Sequence, residues 1–340
     1  MERESTPLKK QIPGTRNQKS VDGSRLTVDR FFPGLSSDIR QTSFDKLGTR
    51  DQIPERLPHW LIKHGPQGPN FRWVGEILAG FGLSTVCQSA LCPNLGECFS
   101  RGTATFMILG TRCTRRCGFC AIEEGEFLLL QEDEPERLAL AARELGLRYV
   151  VVTSVTRDDL PDGGASQFAA TVRAVKNMLP RAWVEVLTPD FRGSIDALTV
   201  VLREKPHVFA HNLETVPRLY PLVRPGADYE RSLYGLREAK RLNGAVLTKS
   251  GLILGLGERR GEIVRVMEDL RGAGCDVLTL GQYLRPSKEQ LPVARFLPPE
   301  EFAGLEAVAR RMGFRAVSAG PFVRSSYRAG ELLCGILSKS

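Results

Sequence analysis

The sequence has no long hydrophobic run. Of its 340 residues, 42% are hydrophobic and 25% are charged, which is close to the globular average and unlike a fibrous or disordered chain. No stretch approaches the ~18 apolar residues that a membrane-spanning helix needs, and the apolar segment 149–155 is far too short. A chain of this length buries ~75% of its extended surface, so it needs no disulfides to hold a core. These features exclude membrane-spanning, collagen-like and small disulfide-stapled proteins.

The N-terminal segment also lacks the features of a targeting peptide. It has no apolar core of the kind found in secretory signals, and Glu2, Glu4, Asp22 and Asp29 argue against a mitochondrial transit peptide, which avoids acids. The first 50 residues hold 10 basic and 6 acidic side chains and so supply half of the net charge of +8. Because this segment is polar and shows no sustained apolar period, we predict a mobile basic arm over 1–45 and a cytoplasmic protein.

Beyond residue 104, β-rich runs alternate with segments of helical spacing. The runs predict strands over 105–110, 149–154, 182–187, 207–210, 246–254, 277–281 and 314–318. The intervening segments predict helices over 134–146, 165–179, 194–204, 228–242, 259–273 and 299–312. This alternation is typical of a parallel sheet, either doubly wound or a (β/α) barrel. Because only six or seven units are visible, we expect an open, partial barrel rather than a complete eight-fold one.

Unusual residues follow the carboxyl ends of these predicted strands, where such barrels build their active sites. They include the cysteine run after 105–110, Thr153 and Ser154, His211, and the glycine-rich segment 255–258. Asp158 and Asp159 fit either a ligand-binding role or the first turn of a helix. A lone histidine such as His211 is often a structural residue, and both readings stay open.

The cysteines carry the clearest chemical signal. Six of the eight, from Cys87 to Cys120, fall within 34 residues. In a reducing compartment such clustering indicates metal or redox chemistry more often than disulfides. Cys275 and Cys334 stand alone in apolar surroundings, and we expect them to be inert and buried.

Cys113, Cys117 and Cys120 form a CxxxCxxC motif. Three thiolates on one loop can hold three irons of a cubane cluster, because thiolate is the ligand that iron–sulfur clusters take. No fourth cysteine follows in the loop, so one iron can stay open to a substrate or cofactor. The alternative is zinc, although structural zinc sites have four ligands, often from paired CxxC modules. Arg115 either offsets the cluster charge or is an ordinary solvated residue.

With the aromatic Phe119 before its last cysteine, this motif resembles that of the radical S-adenosylmethionine (SAM) superfamily. In that superfamily the three cysteines hold a 4Fe–4S cluster whose open iron chelates the amino and carboxylate groups of SAM. Residues 251–258, GLILGLGE, are similar to the superfamily's GxIxGxxE pattern, which lies near the adenine. The resemblance implies cofactor contacts at Phe119, Gly255 and Glu258.

Three further residues are candidates for cofactor binding. Thr153 and Ser154 lie in a segment that looks like the one after the second strand of these enzymes. Glu185 alternates with Val184 and Val186, so it faces either the barrel lumen or the helices. An acid in the lumen is costly without a partner, and a cofactor contact would supply one. Lys249 and Arg285 are expected to be solvated or neutralising charges.

A second cysteine set, Cys87, Cys92 and Cys98, lies upstream as CxxxxCxxxxxC and suits another cluster that is again one ligand short. Here the sequence resembles the lipoyl synthase family, whose auxiliary cluster is held by cysteines at these spacings and by a serine of a C-terminal Arg-Ser-Ser-Tyr motif. That motif is present at 324–327. We expect Ser326 to be the ligand, with Ser325 as the alternative, and a helix N-cap is the structural use of such a serine.

The similarity covers roughly residues 57–335 and includes the segments 153–165, 187–193, 210–217 and 280–283. One departure is 122–130, where the family usually has a stretch containing glycine and proline. The resemblance implies an α/β fold: a partial (β/α)6-type TIM barrel with N-terminal and C-terminal extensions that carry the auxiliary Fe–S cluster. The expected divisions are the arm 1–45, the N-terminal extension 46–103, the barrel 104–320 and the C-terminal extension 321–340.

The implied activity is that of a sulfurtransferase, which inserts two sulfur atoms at carbons six and eight of a protein-bound octanoyl-lysine to form lipoyl-lysine. The implied cofactors are two 4Fe–4S clusters and SAM, with the auxiliary cluster as sulfur donor. Cys113, Cys117, Cys120 and Ser326 are then the catalytic set. A serine ligand suits an iron that must be shed, because oxygen is a harder ligand than thiolate.

The implied partners are octanoylated lipoyl-carrier domains, from 2-oxoacid dehydrogenase acyltransferase subunits and the glycine-cleavage carrier protein, and a low-potential electron donor such as ferredoxin or flavodoxin. The charge of +8 can steer an acidic carrier, or it can serve solubility through the arm. Neither nucleic acid nor a membrane is expected as a partner. The alternatives are a biotin synthase or methylthiotransferase relative, an Fe–S electron carrier, and a basic zinc protein that binds nucleic acid.

Overall fold

The computed structural model describes residues 57–63, 68–125 and 129–338. The predicted arm over 1–45 lies outside these ranges, as do residues 126–128 of the segment that departs from the family. Within them, no helix combines the length and apolar character that a bilayer crossing requires.

One sheet of eight strands forms the centre of the fold, and its strands lie side by side in chain order. They are β1 (Ser84–Thr85), β2 (Thr105–Ile108), β3 (Tyr149–Ser154), β4 (Trp183–Leu187), β5 (Val208–Ala210), β6 (Leu247–Leu254), β7 (Val277–Gln282) and β8 (Ala316–Gly320). β1 is antiparallel to β2, and every later pair is parallel. Since β1 and β8 are the two edges of the described sheet, the barrel is open.

Eleven α-helices occur in the described ranges. They are α1 (Pro69–Gly80), α2 (Val86–Ser89), α3 (Leu95–Ser100), α4 (Glu134–Glu144), α5 (Ala165–Met178), α6 (Ile195–Arg203), α7 (Tyr220–Val223), α8 (Tyr229–Leu242), α9 (Arg260–Gly272), α10 (Pro299–Arg311) and α11 (Ala329–Leu337). Long helices follow each strand from β2 to β7, which makes six β/α units. The predicted partial (β/α)6 barrel is therefore confirmed.

The strand pattern separates the core from the lumen. Along β3, Val150 and Val152 are fully buried in the main hydrophobic core, whereas Val151 between them lines the internal cavity. This alternation is expected because successive side chains of a strand point to opposite faces. Side chains at every second position of the strands thus become available to an internal site.

The helix α11 closes the floor of the barrel, at the amino ends of the strands. Its Leu333 and Leu337 form a second apolar cluster with the first residues of four strands, namely Val208, Leu247, Val277 and Ala316. Gly330 lies so close to Tyr149 that a Cβ atom there would be 3.1 Å from the tyrosine Cβ. The C-terminal segment is therefore packed tightly against the barrel.

One of the two lone cysteines differs from its expected burial. Cys334, expected to be buried, is exposed, because it lies on helix α11, where apolar neighbours in sequence point to different faces. Cys275 is fully buried, as predicted.

Candidate active site

The CxxxCxxC loop (residues 113–120) follows β2 and is held by backbone hydrogen bonds to three other segments. The amides of Cys113, Thr114 and Gly118 donate to the carbonyl oxygens of Glu123, Thr156 and Val223 at 3.0, 3.0 and 2.9 Å. In addition, the Cys113 Sγ accepts hydrogen bonds at 3.4 Å from the amides of Arg115 and Thr156. The loop is irregular in conformation yet fixed in place.

A buried ion-pair network holds the middle of this loop. The guanidinium of Arg115 donates to Asp158 at 2.7 Å and to Asp190 at 2.7 Å, and Asp190 also pairs with Arg231 at 2.8 Å. Burial alone would raise the pKa of Asp190, but the Arg115 hydrogen bonds outweigh it and hold that pKa well below its usual range. Arg115 is therefore not a solvated loop residue: its side chain is 8% exposed and anchors the loop.

Burial also controls the thiols. It is the main reason that the pKa of Cys117 is raised to about 11 and that of Cys120 to about 12, and the neighbouring cysteines contribute to both values. Such thiols stay protonated at neutral pH unless a cation replaces the proton. Iron binding does so, because thiolate is the form that binds metal.

Several buried polar atoms near the carboxyl ends of β3, β4 and β5 have no hydrogen-bond partner among the described residues. They are Ser154 Oγ, Thr188 Oγ1 and Asn212 Oδ1. A buried hydroxyl or amide without a partner is costly, so these atoms fit a polar ligand such as SAM. Thr153 differs, since its hydroxyl donates to the Leu187 carbonyl oxygen at 2.9 Å.

Glu185 already has two partners within the protein. Its carboxylate accepts hydrogen bonds from Lys249 Nζ at 2.8 Å and from the Tyr149 hydroxyl at 2.6 Å, and neither Glu185 nor Lys249 is exposed to solvent. Because Lys249 and Tyr149 already partner this carboxylate, its burial does not require a cofactor contact. Lys249 is a neutralising charge, not a solvated one.

In the GxIxGxxE segment, Glu258 and Gly255 shape the turn after β6. The Glu258 carboxylate accepts hydrogen bonds from the amides of Gly255 and Leu256 at 2.9 and 3.0 Å and from Thr215 Oγ1 at 3.0 Å. A Cβ at Gly255 would lie 2.3 Å from Gln282 Nε2, and the φ of Gly255 is +109°. These residues position the turn, and the carboxylate of Glu258 serves its own backbone.

His211 is a structural residue. Its ring nitrogens lie 2.9 Å from the Thr188 carbonyl oxygen and 3.1 Å from Ser232 Oγ. Its pKa is lowered to about 4, chiefly by burial and then by the charge of Arg224. The imidazole is therefore neutral at physiological pH and has both nitrogens occupied.

The second cysteine set lies on short helices of the N-terminal extension: Cys87 on α2, Cys98 on α3 and Cys92 between them. The pKa of Cys87 is raised to about 11 and that of Cys98 to about 12, chiefly by burial. The neighbouring thiols contribute to both values, as expected of cysteines that lie close together. This is a donor set of the type that an iron–sulfur cluster takes.

The C-terminal extension lies against this cysteine set. Asn94 Nδ2 donates to the Phe322 carbonyl oxygen at 2.7 Å, and the Tyr327 hydroxyl donates to Glu97 at 2.7 Å. Lys63 pairs with the same Glu97 at 2.6 Å. Residues 230 positions apart in sequence are thereby joined, and the Arg-Ser-Ser-Tyr motif is brought beside the three thiols.

One cavity of about 610 Å³ connects the two cysteine sets. Its wall includes Cys120 and Phe119 from the CxxxCxxC loop, and on the other side Cys87, Cys92, Cys98, Ser325 and Ser326. Apolar side chains such as Val151, Leu187 and Ile253 form much of the wall between them. An apolar chain can therefore lie between the two sites.

The two serines differ in their surroundings. The hydroxyl of Ser325 is fully buried and has no hydrogen-bond partner within the described ranges. Ser326 lies beside it on the cavity wall and is partly exposed. The helix after them begins at Ala329 with Arg328 as its N-cap residue, so the N-cap alternative for the serines is wrong.

The described side chains do not form a site for one metal ion. Nowhere in residues 57–63, 68–125 and 129–338 do three His, Cys, Asp or Glu side chains converge on a single metal position. A structural zinc site needs four ligands around one ion. The thiols instead border a space much larger than one ion, which fits a multinuclear cluster.

The segments 210–217 and 324–327 contain Asn212, Glu214 and Arg324 of the cavity wall, but their sequence pattern assigns none of the three a role. Glu214 has a positive φ of 64°, which is unusual for a non-glycine residue, and burial raises its pKa. The segment 210–217 resembles the family as a whole, but nothing in its spacing singled out Glu214. Its backbone conformation is visible only in the structure.

Comparisons with known proteins agree with this site. Residues 107–270 match the model of the Radical SAM superfamily. A lipoyl synthase of Rubrobacter xylanophilus is 56% identical over 274 residues, which are 81% of this chain and 85% of that protein. A lipoyl synthase of Thermus thermophilus is 53% identical over 312 residues, 90% of this chain and 96% of that protein.

Among solved structures, the crystal structure of Streptococcus suis SuiB bound to precursor peptide SuiA matches with a TM-score of 0.51 and 12% identity. The match covers 63% of this chain and 48% of SuiB, and it shows the fold alone. The family follows from the sequence relatives. With 56% identity to a lipoyl synthase over four fifths of its length, the chain belongs to the lipoyl synthase family of the radical SAM superfamily.

Proposed function

We propose that this chain converts a protein-bound octanoyl-lysine into lipoyl-lysine inside the 610 Å³ cavity, by inserting sulfur at carbons six and eight. The observation that carries the proposal is that Cys120 of the CxxxCxxC loop and all three cysteines of the second set border the same cavity. A substrate chain that lies between them can reach a group that removes its hydrogen atoms on one side and a sulfur source on the other.

Cys113, Cys117 and Cys120 would hold one 4Fe–4S cluster with SAM at its open iron. When bound and reduced, this pair supplies a 5′-deoxyadenosyl radical that can take hydrogen from an unactivated carbon. Such a C–H bond cannot be deprotonated by glutamate or histidine, so acid–base catalysis is not an option. The unpartnered Ser154 and Asn212 are the residues that we expect to bind polar groups of SAM.

The remaining residues orient the reactants and exclude water. The apolar side chains of Val151, Leu187 and Ile253 suit the octanoyl chain and keep water out of the space around its reacting carbons. Arg115, through Asp158 and Asp190, fixes the CxxxCxxC loop. Glu258 and Gly255 fix the turn after β6, so their contribution is positioning.

Cys87, Cys92, Cys98 and Ser326 would hold the auxiliary 4Fe–4S cluster, which we propose to be the sulfur-donating substrate. Ser326 is proposed as the fourth ligand with Ser325 as the alternative, because both residues line the cavity beside the three thiols and the Ser325 hydroxyl has no hydrogen-bond partner within the described ranges. An oxygen ligand binds iron less firmly than thiolate in such a site, which favours release of that iron. Two sulfur insertions then require two SAM molecules for each lipoyl group.

The substrates of this reaction are octanoylated carrier proteins. We propose the carrier domains of 2-oxoacid dehydrogenase acyltransferase subunits and the glycine-cleavage carrier protein as acceptors. A low-potential protein such as ferredoxin or flavodoxin is proposed as the electron donor.

The test is anaerobic reconstitution, followed by an assay with SAM, dithionite and an octanoyl-lysine peptide, read by mass spectrometry alongside iron and sulfide content. We expect two clusters, about two deoxyadenosines per product and a mass gain that corresponds to two sulfurs. SAM cleavage without sulfur insertion would retain the superfamily and reject the substrate. A protein that binds zinc and cleaves no SAM would overturn the proposal.

A matched pair of variants assigns the serine ligand. We expect Ser326→Cys to retain both clusters and SAM cleavage but to form little lipoyl, because thiolate holds the iron that must leave. Ser325→Cys is the control and should keep product formation. Normal lipoyl yield from Ser326→Cys would rule out release of iron at that position.

A further inference from the structure

The cavity is open to solvent on one side. Most of its wall is buried or half-buried, and the exposed charged residues of the wall come from three segments that meet there: the end of α3, the turn between α4 and β3, and the residues after the Arg-Ser-Ser-Tyr motif. We call this opening the mouth and define it by Trp73, Arg101, Arg148, Arg328 and Glu331. The wall of the same cavity includes the auxiliary cysteines and Cys120.

The mouth is positively charged. Three of its four ionisable side chains are arginines, and Glu331 pairs with both Arg101 and Arg328. Arg148 is exposed and makes no side-chain ion pair or hydrogen bond within the described part of the chain. Its charge is therefore available to a partner, directly at the entrance.

An exposed aromatic side chain lies at the same opening. Trp73 is 38% exposed although it belongs to a helix that packs on the protein, and its ring is near Gly102 at the end of α3. Tryptophan beside arginine is the composition that protein interfaces favour, because both residues supply large contact area and directed polar groups. The mouth thus has the properties of a docking surface and not only those of a solvent opening.

Given the proposed function, on which this step rests, we infer that the octanoyl-lysyl arm enters through the mouth and that Arg148 recognises acidic side chains flanking the acylated lysine of the carrier. The arm itself is apolar and suits the wall of the cavity. The carboxylates remain outside, where the arginines attract them. The selectivity of the enzyme for its carrier then resides in charge at the mouth, and the reacting chain contributes none of it.

The test uses two octanoyl-lysine peptides of the same length that differ only beside the lysine, where one carries Asp and Glu and the other Asn and Gln. The enzymes are the full-length reconstituted protein, Arg148→Glu and a control, Arg265→Glu. Arg265 is exposed on α9, away from the mouth, and also has no ion pair in the described ranges. Both variants therefore change the net charge equally.

For the parent enzyme we expect kcat/KM to favour the acidic peptide about tenfold at low salt, and this preference should shrink as salt rises because exposed charges are screened. Arg148→Glu should lower kcat/KM about tenfold for the acidic peptide only, mainly through KM. SAM cleavage and the rate with the neutral peptide should stay within about twofold. Arg265→Glu should behave as the parent.

Equal use of the two peptides by the parent, or equal losses in Arg148→Glu and Arg265→Glu, would overturn the inference while lipoyl formation stands. If none of the three enzymes formed lipoyl from either of the two peptides, the proposed function itself would be overturned. A whole octanoylated carrier domain extends the test. Replacing the acids beside its lysine with amides should lower kcat/KM by the same factor that separates the acidic peptide from the neutral one.

Discussion

The two cysteine sites of this enzyme are held by different kinds of structure. The CxxxCxxC loop follows one strand of the barrel and is anchored by neighbouring barrel segments, chiefly through Arg115 with Asp158 and Asp190. The auxiliary site is assembled from two chain segments outside the β/α units, which meet through Asn94 with Phe322 and Glu97 with Tyr327.

This difference implies that the two sites are separable. The first requires only the barrel, the part of the chain that the superfamily shares. The second requires both extensions and the contacts between them. A change in one region should therefore disturb its own cluster and leave the other intact.

The largest expected effect comes from exchanging single cysteines. Cys120→Ala should abolish SAM cleavage, with a loss of at least about 100-fold, because one of the three cluster ligands is missing. Cys98→Ala should retain SAM cleavage but form no lipoyl. Deoxyadenosine and lipoyl are measured in the same reaction by mass spectrometry. Loss of SAM cleavage in Cys98→Ala would show that the two sites are not separable.

The second largest effect is expected from breaking the ion pair that holds the CxxxCxxC loop. Asp190→Asn removes one of the two carboxylates that pair with the buried Arg115, and it also removes the partner of Arg231. Because Asp158 still pairs with Arg115, we expect a loss of about 3 kcal/mol of unfolding free energy, at the lower end of the range for a broken buried pair. Urea unfolding measures this loss, and iron should be depleted from the first site alone. Glu306→Gln, which breaks the exposed pair with Arg310, is the control and should cost less than about 1 kcal/mol.

In the barrel, His211 makes the stability of the folded protein depend on pH. Its pKa is about 4 in the folded protein and ~6.5 in an unfolded chain. Between pH 6.5 and pH 4, His211 is therefore protonated in the unfolded state and neutral in the folded state, which favours unfolding. Stability is complete above pH 6.5 and falls toward pH 4, by about 2 kcal/mol at pH 5. His211→Gln should reduce this fall between pH 7 and 5 in urea titrations of the apo-protein. An unchanged fall would assign the pH dependence to other groups.

The smallest expected effect concerns the contact between the extensions. Tyr327→Phe removes the hydrogen bond to Glu97, worth about 1 kcal/mol, and should release iron from the auxiliary site about fivefold faster. Iron bound to the CxxxCxxC loop should not change. Tyr234→Phe, at an exposed tyrosine of α8, is the matched control. Equal iron loss from both sites in Tyr327→Phe would contradict the comparison.

Most of the barrel could be predicted from the sequence because its strands and helices have strong periodicity. The prediction of a strand over 246–254 is close to β6 at Leu247–Leu254, and that of a helix over 299–312 is close to α10 at Pro299–Arg311. The strand β1 was missed because two residues, Ser84–Thr85, are too few for a periodic signal.

For the site, the sequence predicts the cysteine donor sets but not the partners of the buried charges. Cysteine spacing identified both donor sets, since ligands on one loop are close in sequence as well as in space. Partners that are distant in sequence could not be found this way: Glu185 meets Tyr149 and Lys249 from 36 and 64 residues away. The exposure of the Trp73 side chain could not be predicted either, because only the packing of α1 decides which face of this helix is covered.

The order of the two cysteine sets and Arg-Ser-Ser-Tyr along the chain also affects how the protein is made. The barrel strands and the CxxxCxxC loop are synthesised before residues 324–327, so the first donor set can be complete while the auxiliary cysteines still wait for this later segment. The contacts of Asn94 with Phe322 and of Glu97 with Tyr327 form only once it has emerged from the ribosome. A chain that stopped before residue 324 would keep all six clustered cysteines but lose the contact that holds the second set from the far side of the sequence, so synthesis itself sets the order in which the two sites are assembled.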